Sequence, residues 1–312
     1  MRRPATLVSG GTGLVGRFIV EHLAAAGHDV IVLGRTSPPK GFFSNPVRFL
    51  EGALDPDRDQ FQAFDGMDFF VHAAFDHLPG KYRGGEGGDP DGFWRRNHEG
   101  SVALFDAARR AGVARTIFLS SRAAYGGEAP GAPLHEDLAC APDTLYGKAK
   151  LAAESALGRL TTPEFATASL RITGVYGPAG PGREHKWSAL LGDYLAGKPI
   201  EPRAGTEVHG EDVATAVELM LTVAAKTMSG KLFNVSDIVV DRHDLLAIVK
   251  ERTGSPHALP GRADASSLGV MATDRLQRLG WRPGGHGLFR DTVAKLVAEH
   301  ARFAPFQGPL SV

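Results

Sequence analysis

Read for apolar and polar positions, the chain alternates short, unbroken apolar runs with longer amphipathic ones. Ala5 to Val8, Asp29 to Leu33, Asp68 to Ala73, Thr116 to Ser120 and Ala166 to Arg171 are rich in Val, Ile, Leu and Phe and carry no regular polar face. That is the pattern of strands covered on both sides. Helical spacing fills the intervals: Leu14 to Ala26, closed by Gly27; Asn97 to Ala111, closed by Gly112; and Tyr146 to Arg159. Strands alternating with helices predict βαβ crossovers and an α/β fold with a parallel sheet. After Gly177 the rhythm breaks. Pro178 to Gly182 is rich in Gly and Pro, a helix is expected from Trp187 to Ala196, another from Glu211 to Ala225, and a strand from Lys231 to Val235.

Composition narrows the function classes. With 312 residues and a single Cys, Cys140, the chain can bury a large core and needs no disulfide framework. Lys plus Arg number 35 and Asp plus Glu number 35, so no net field draws in a polyanion, and neither nucleic acid nor an acidic membrane is an expected partner. The basic start, Arg2-Arg3, runs straight into a strand, and nowhere do roughly eighteen apolar residues follow one another. A cytoplasmic location is the expectation. The His residues are scattered without ligand spacing, so no metal is expected. The 39 glycines, well above the usual share of about 7%, are the unusual feature.

Three of them explain themselves by position. Gly10-Gly11-Thr12-Gly13-Leu14-Val15-Gly16 follows the first strand and opens the first helix, with Gly10, Gly13 and Gly16 three apart. Such a turn lets a pyrophosphate approach the backbone and meet the free N–H groups of a helix N-terminus. A Rossmann-type, doubly wound parallel sheet with a smaller C-terminal substrate-binding lobe follows. Residues 1–177, with 206–235 returning, are expected to form the dinucleotide-binding part, and 178–205 with 236–312 the substrate lobe. At the end of the second strand, where an acid would select NAD, stands Arg35 followed by Thr36 and Ser37. A guanidinium suits a 2′-phosphate, so NADP is the preferred cofactor and NAD the alternative.

Tyr146 and Lys150 lie four apart on one helical face. A phenol, with a pKa near about 10, exchanges a proton at neutral pH only beside a cation that favours the phenolate. Ser121, at the end of a parallel strand, is the candidate to hold the reacting oxygen, because such sheets present their sites at the carboxyl ends of strands.

With these residues in order, the chain resembles the extended short-chain dehydrogenase/reductase family, the NAD(P)-dependent epimerases, dehydratases and reductases. The resemblance runs from Leu7 to Trp281. It rests on Gly10 to Gly16; Val71-His72-Ala73-Ala74; Asn97; Phe118 to Ser121 with Tyr125-Gly126; Tyr146, Lys150 and Glu154; Leu170-Arg171; Val175 to Pro178; His209 with Asp212; Phe233 to Val235; and Leu279-Gly280-Trp281. The resemblance implies Tyr146 as general acid/base, Lys150 as holder of the nicotinamide ribose, and Ser121 as donor to the substrate oxygen. It implies that Gly10, Thr12, Gly13, Leu14, Val15, Gly16, Leu54, His72, Ala73, Ala74 and Asn97 line the cofactor cleft. It also implies a homodimer formed by two helices, through Ala103, Leu104, Ala107 and Ala108 with Leu151, Ala152, Ser155 and Leu157.

Four departures bear on the substrate. Ala53 stands where the family commonly has an Asp for the adenine amino group, and Asp55 reads as a solvated loop acid. Arg122 follows Ser121 where dehydratases carry acids; it either grips a substrate carboxylate or phosphate or pairs on the surface with an acid such as Glu128. Gly205 replaces the Arg that meets the diphosphate in nucleotide-sugar enzymes, leaving Arg203, with Arg183 and Lys186, as candidate substrate contacts. The stretch Gly80 to Gly92 reads as either a lid or a surface loop. The expected activity is hydride transfer between nicotinamide and a secondary alcohol or carbonyl of a small polar or sugar-derived substrate. The alternatives are a nucleotide-sugar 4-epimerase with tightly bound NAD and a non-catalytic dinucleotide-binding regulator.

Overall fold

The computed structural model describes residues 2–78, 85–127 and 131–303. Among them run strands β1 (Ala5–Ser9), β2 (Asp29–Gly34), β3 (Arg48–Glu51), β4 (Phe69–His72), β5 (Arg115–Ser121), β6 (Ala166–Ile172), β7 (Gly174–Tyr176), β8 (Ala204–His209), β9 (Lys231–Val235) and β10 (Ile238–Asp241). The helices are α1 (Leu14–Ala25), α2 (Pro90–Trp94), α3 (Gly100–Arg110), α4 (Leu145–Arg159), α5 (Ser188–Leu195), α6 (Gly210–Thr222), α7 (Ala225–Met228), α8 (Arg242–Thr253), α9 (Asp274–Gln277) and α10 (Gly285–Phe303). Seven strands form one sheet in the order β3-β2-β1-β4-β5-β6-β9, all pairs parallel. This is a Rossmann-type doubly wound sheet. A second sheet has the order β10-β8-β7, with β10 antiparallel to β8. Thus β8, at the start of the segment expected to return to the first part, pairs in the small sheet, and α6 and β9 make the return.

The strands are apolar throughout because successive residues enter different cores. Leu7, Ile31, Phe70 and Phe118 pack with Leu104 and Phe105 of α3 and with Leu157 of α4. Val8, Val32, Val71 and Ile117 pack with Ile19 and Leu23 of α1 and Val213 and Val217 of α6. Burial on both faces removes the period-two signature of a half-exposed strand. A third cluster, Trp187, Leu191, Leu245, Val249, Phe289 and Val293 among others, closes the small lobe. Phe18 of α1 fastens α1 to two later segments. A Cβ on Gly177 would lie 2.6 Å from its Cζ and one on Gly210 2.1 Å from its Cδ2.

Three expectations change here. The helix expected from Asn97 starts as α2, widens into a π-helical turn over Arg95–Glu99 and becomes α3 at Gly100; a single inserted residue leaves the apolar spacing almost intact. Of the helix positions expected to face a second copy, Leu104, Ala107, Ala108 and Leu157 are at most 2% exposed and belong to the core. Ala103, Leu151, Ala152 and Ser155 keep exposed surface. Within the stretch Gly80 to Gly92, residues 80–84 lie outside the described residues, and Asp89 caps α2 by accepting from the Gly92 amide at 2.9 Å. Among the described residues no helix is long and apolar enough to cross a membrane.

Candidate active site

The glycine turn is held from within. The Gly10 amide donates to Leu33 O at 3.2 Å, and the Gly13 amide to Gly10 O at 2.9 Å. Gly10 has a φ of +71°, and a Cβ there would lie 2.6 Å from the Ala74 amide nitrogen; a Cβ on Gly16 would lie 2.1 Å from Gly10 O. Neither position has room for a side chain, and at Gly10 the positive φ disfavours one as well. The first turn of α1 has no acidic residue and no side-chain cap, so its leading amides lack intrahelical partners. This is a cradle that a pyrophosphate fits: close backbone, free donors and a positive dipole end. Thr12, Leu14 and Val15 are partly exposed along it, as are Ala73 and Ala74 beneath it.

Around the adenosine end the residues divide. Arg35 is exposed, with Nη1 3.3 Å from Asp76 Oδ1, while Arg96 Nε donates to the other oxygen of Asp76 at 2.7 Å. Leu54 is partly buried, its backbone pressed against Gly100. Asp55 accepts from the Asp57 amide at 3.0 Å, a local turn. The loop is instead fastened by Gln60, which binds both the amide and the carbonyl of Ala53 at 3.0 and 2.8 Å.

Two residues expected to line the cleft sit behind it. His72 is wholly buried, its Nδ1 2.6 Å from Ser9 Oγ and its Nε2 2.9 Å from Ser101 Oγ. Burial, and then the charge of Lys150, push its pKa down to about 3. A neutral histidine satisfied at both nitrogens is a core residue, so the side chain does not line the cleft. Asn97 is 1% exposed; its amide accepts from Asp76 N at 2.7 Å and donates to Asp76 O and Phe93 O at 2.7 and 3.0 Å. It shapes the loop after β4 through the backbone.

The candidate catalytic residues meet at the carboxyl end of β5. Ser121 ends that strand, its Oγ accepting from the Ala123 amide at 3.2 Å. The turn that follows packs backbone to backbone on the first turn of α4, where a Cβ on Gly147 would lie 2.3 Å from Ala123 O. α4 starts at Leu145 because Thr144 caps it, accepting from the Gly147 amide at 3.0 Å. This places Tyr146 one residue from Gly147. Lys150, one turn further, is 4% exposed. Its Nζ donates to Leu119 O at 2.6 Å and lies 4.4, 4.8 and 5.9 Å from the ring centres of Phe75, Phe118 and Tyr146. Burial lowers its pKa from 10.5 to about 7, against the opposing pull of Glu154. Phe75, which also meets Tyr146 edge-on at 4.8 Å, has no sequence signal, since a lone aromatic residue in a loop follows no period.

Below them lies a buried charged layer. Arg171 donates to Glu154 Oε2 at 2.7 Å, with the two side chains 2% and 3% exposed, and Ser120 Oγ also donates to Glu154. The Arg171 guanidinium stacks over Tyr125 at 4.5 Å, and Tyr125 OH donates to Asn234 Oδ1 at 2.8 Å.

The candidate substrate residues do not converge. Lys186 is closed on both oxygens of Glu207 at 2.7 and 2.5 Å. Arg183 reaches the other way, donating to the Thr12 carbonyl. Arg203 is exposed ahead of β8. Arg122, half-buried, donates from Nε and Nη2 to Gly269 O at 3.1 and 2.9 Å, and burial lowers its pKa. Glu128, the surface acid expected as its alternative partner, lies outside the described residues, and among these no carboxylate pairs with Arg122.

A doubly wound parallel sheet with a phosphate cradle on its first turn and a Ser, Tyr and Lys at the carboxyl end of its fifth strand defines a nicotinamide-dependent enzyme of the oxidoreductase and epimerase type. The chain belongs to the NAD dependent epimerase/dehydratase family, whose profile matches residues 6–236. It is 28% identical to a UDP-glucose 4-epimerase of Streptomyces lividans, over 89% of this chain and 91% of that protein. It is also 28% identical to the human sterol-4-alpha-carboxylate 3-dehydrogenase, decarboxylating, over 74% and 61%. The solved structure of MoeE5 in complex with UDP-glucose and NAD superposes with a TM-score of 0.76 at 26% identity, covering 96% of this chain and 98% of that one.

Proposed function

We propose that the chain is an NADP-preferring oxidoreductase that interconverts a secondary alcohol and a carbonyl on a small polar, acidic or sugar-derived substrate. The enclosure of Lys150 carries this reading: an ammonium group held by Leu119 O beside the Tyr146 ring is costly to bury unless its charge is used. Tyr146 gives a proton from its phenolic oxygen to the substrate oxygen during reduction and takes it back during oxidation. Lys150 favours the phenolate and binds the nicotinamide ribose, and Ser121 orients the same substrate oxygen by donating Oγ–H. When bound, the dinucleotide supplies or accepts the hydride. Gly10 to Gly16 hold its pyrophosphate, Ala73 and Ala74 floor the cleft, Leu54 borders the adenine, and Arg35 meets the 2′-phosphate. Arg122, a half-buried cation with no carboxylate partner among the described residues, supports an anionic group on the substrate.

The test is NADPH consumption on matched acidic and neutral carbonyl compounds. Tyr146→Phe is expected to lower turnover by about 10²- to 10⁴-fold with NADPH affinity unchanged. An undiminished rate in that variant removes the reading.

The second reading is a UDP-sugar 4-epimerase, favoured by the near full-length likeness to UDP-glucose 4-epimerases. It expects a dinucleotide that copurifies and is not consumed. The closure of Lys186 on Glu207 occupies one of the cations expected to meet a diphosphate and favours the first reading. We further place the protein in the cytoplasm as a homodimer paired through Ala103, Leu151, Ala152 and Ser155; a monomeric mass at micromolar concentration removes the dimer.

A further inference from the structure

We propose that Arg183, which sequence places on the substrate side, is a cofactor-phosphate residue: it leaves the Thr12 carbonyl and closes over the pyrophosphate when a dinucleotide binds. The proposal rests on the dinucleotide site of the preceding reading and on no assumption about substrate.

Arg183 lies in the Gly- and Pro-rich segment between β7 and α5. Its Nη1 donates to Thr12 O, at the apex of the glycine turn. Its guanidinium carbon sits 5.0 Å from the ring centre of Phe42, in the loop after β2. Those two loops are the ones that flank the pyrophosphate and adenosine in a doubly wound sheet, so the cation stands over the phosphate cradle from the opposite side.

Two features suit this position to an anion. The first turn of α1 has no acidic residue and no side-chain cap. Arg183 is exposed and, among the described residues, has no carboxylate partner; its hydrogen bond goes to a neutral carbonyl, a weaker acceptor than a phosphate oxygen. Arg17, in the same first turn, pairs through Nη1 with Glu21 at 3.0 Å and keeps a buried Nε with no hydrogen-bond partner. The segment lies directly on that turn, since a Cβ on Gly180 would be 2.6 Å from Arg17 Nε. Its far end is fixed by the pair of Lys186 with Glu207. A short tether anchored there and carrying a planar donor fork at Arg183 acts as a strap, and its main effect is on how fast the dinucleotide leaves.

The test uses the purified full-length protein and direct fluorescence titration with NADH and NADPH, together with stopped-flow dissociation. Arg183→Ala is expected to weaken both dinucleotides by about ten- to a hundredfold, the loss of one charge-assisted hydrogen bond pair, mainly through faster dissociation. Its melting temperature without dinucleotide should stay unchanged, because the side chain is exposed. Arg183→Lys, which keeps the charge and loses the fork, should fall between. Unchanged affinity in Arg183→Ala overturns the proposal. So does weakening of NADPH alone, which would put the contact at the 2′-phosphate. If the unaltered protein binds neither dinucleotide, the preceding reading fails as well.

Discussion

Around Gly10, Gly13 and Gly16 the chain clears side chains away, whereas around Lys150 it crowds them in. At the first end the binding groups are backbone amides, and the space for a ligand exists because a Cβ on Gly16 would collide with Gly10 O. At the second end, Lys150, Glu154 and Arg171 are all buried, and each charge is answered by a specific neighbour. The first arrangement is steric and all-or-none. The second balances large opposing terms, since desolvation of each charge nearly cancels its attraction to the next. The two ends of one cleft should therefore respond differently to substitution.

The largest expected effect is in the charged layer. Glu154→Ala leaves Arg171 buried without its partner and should cost about 3–5 kcal/mol of stability, read as a lower urea midpoint. If the loss reflects the stranded charge, Glu154→Leu combined with Arg171→Met should recover most of it; failure to recover would mean that packing, not charge, holds this layer. Next comes the steric end. Gly16→Ala should cost about 1–3 kcal/mol and weaken NADPH by more than about tenfold. A variant that binds NADPH normally would show that the turn adapts, and the contrast between the two ends would fall.

The last effect is a slope with pH rather than a loss at one pH. The Lys150 pKa is about 7 in the folded chain against 10.5 for a free lysine, so between these values the unfolded chain binds a proton that the folded one does not. The stability tied to neutral Lys150 is complete above 10.5 and lost as pH falls to about 7. Lys150→Met should therefore lack that part of the slope in melting temperature, be no less stable at pH 7, and still lose turnover. Parallel slopes in the two proteins would mean that Lys150 stays charged throughout.

Much of the large sheet could be read from sequence, because strands buried on both faces announce themselves as unbroken apolar runs. β3 could not: Arg48-Phe49-Leu50-Glu51 is a short edge strand with charges at both ends. β7 and β10 are similarly short, and their pairing with β8 depends on a register no local pattern encodes. The same limit governs the site. Tyr146 and Lys150 are four apart on one helix, so their relation follows from the helical period. Lys186 and Glu207 meet only because β8 runs beside β7 with Glu207 opposite Gly174. The residues after Ser121 and Gly177 that looked like a shared basic lining point in different directions, since loops carry no period from which direction could be inferred. His72 was placed in the cleft by its motif and in the core by the two serines that hold it.

Phe18 has a consequence for recombination. Its ring occupies the volume that side chains at 177 and 210 would need, so three positions far apart in sequence form a single steric unit. A chimera that takes its first βα unit from a relative with a smaller residue at 18 leaves a hole beside His209, whose ring lies 5.3 Å from that of Phe18. The reverse graft drives a phenyl ring into whatever side chains the relative carries at the other two positions. Crossover points in a gene-shuffling library should keep 18, 177 and 210 from one parent, even though the boundary after Gly177 looks like a natural place to cut.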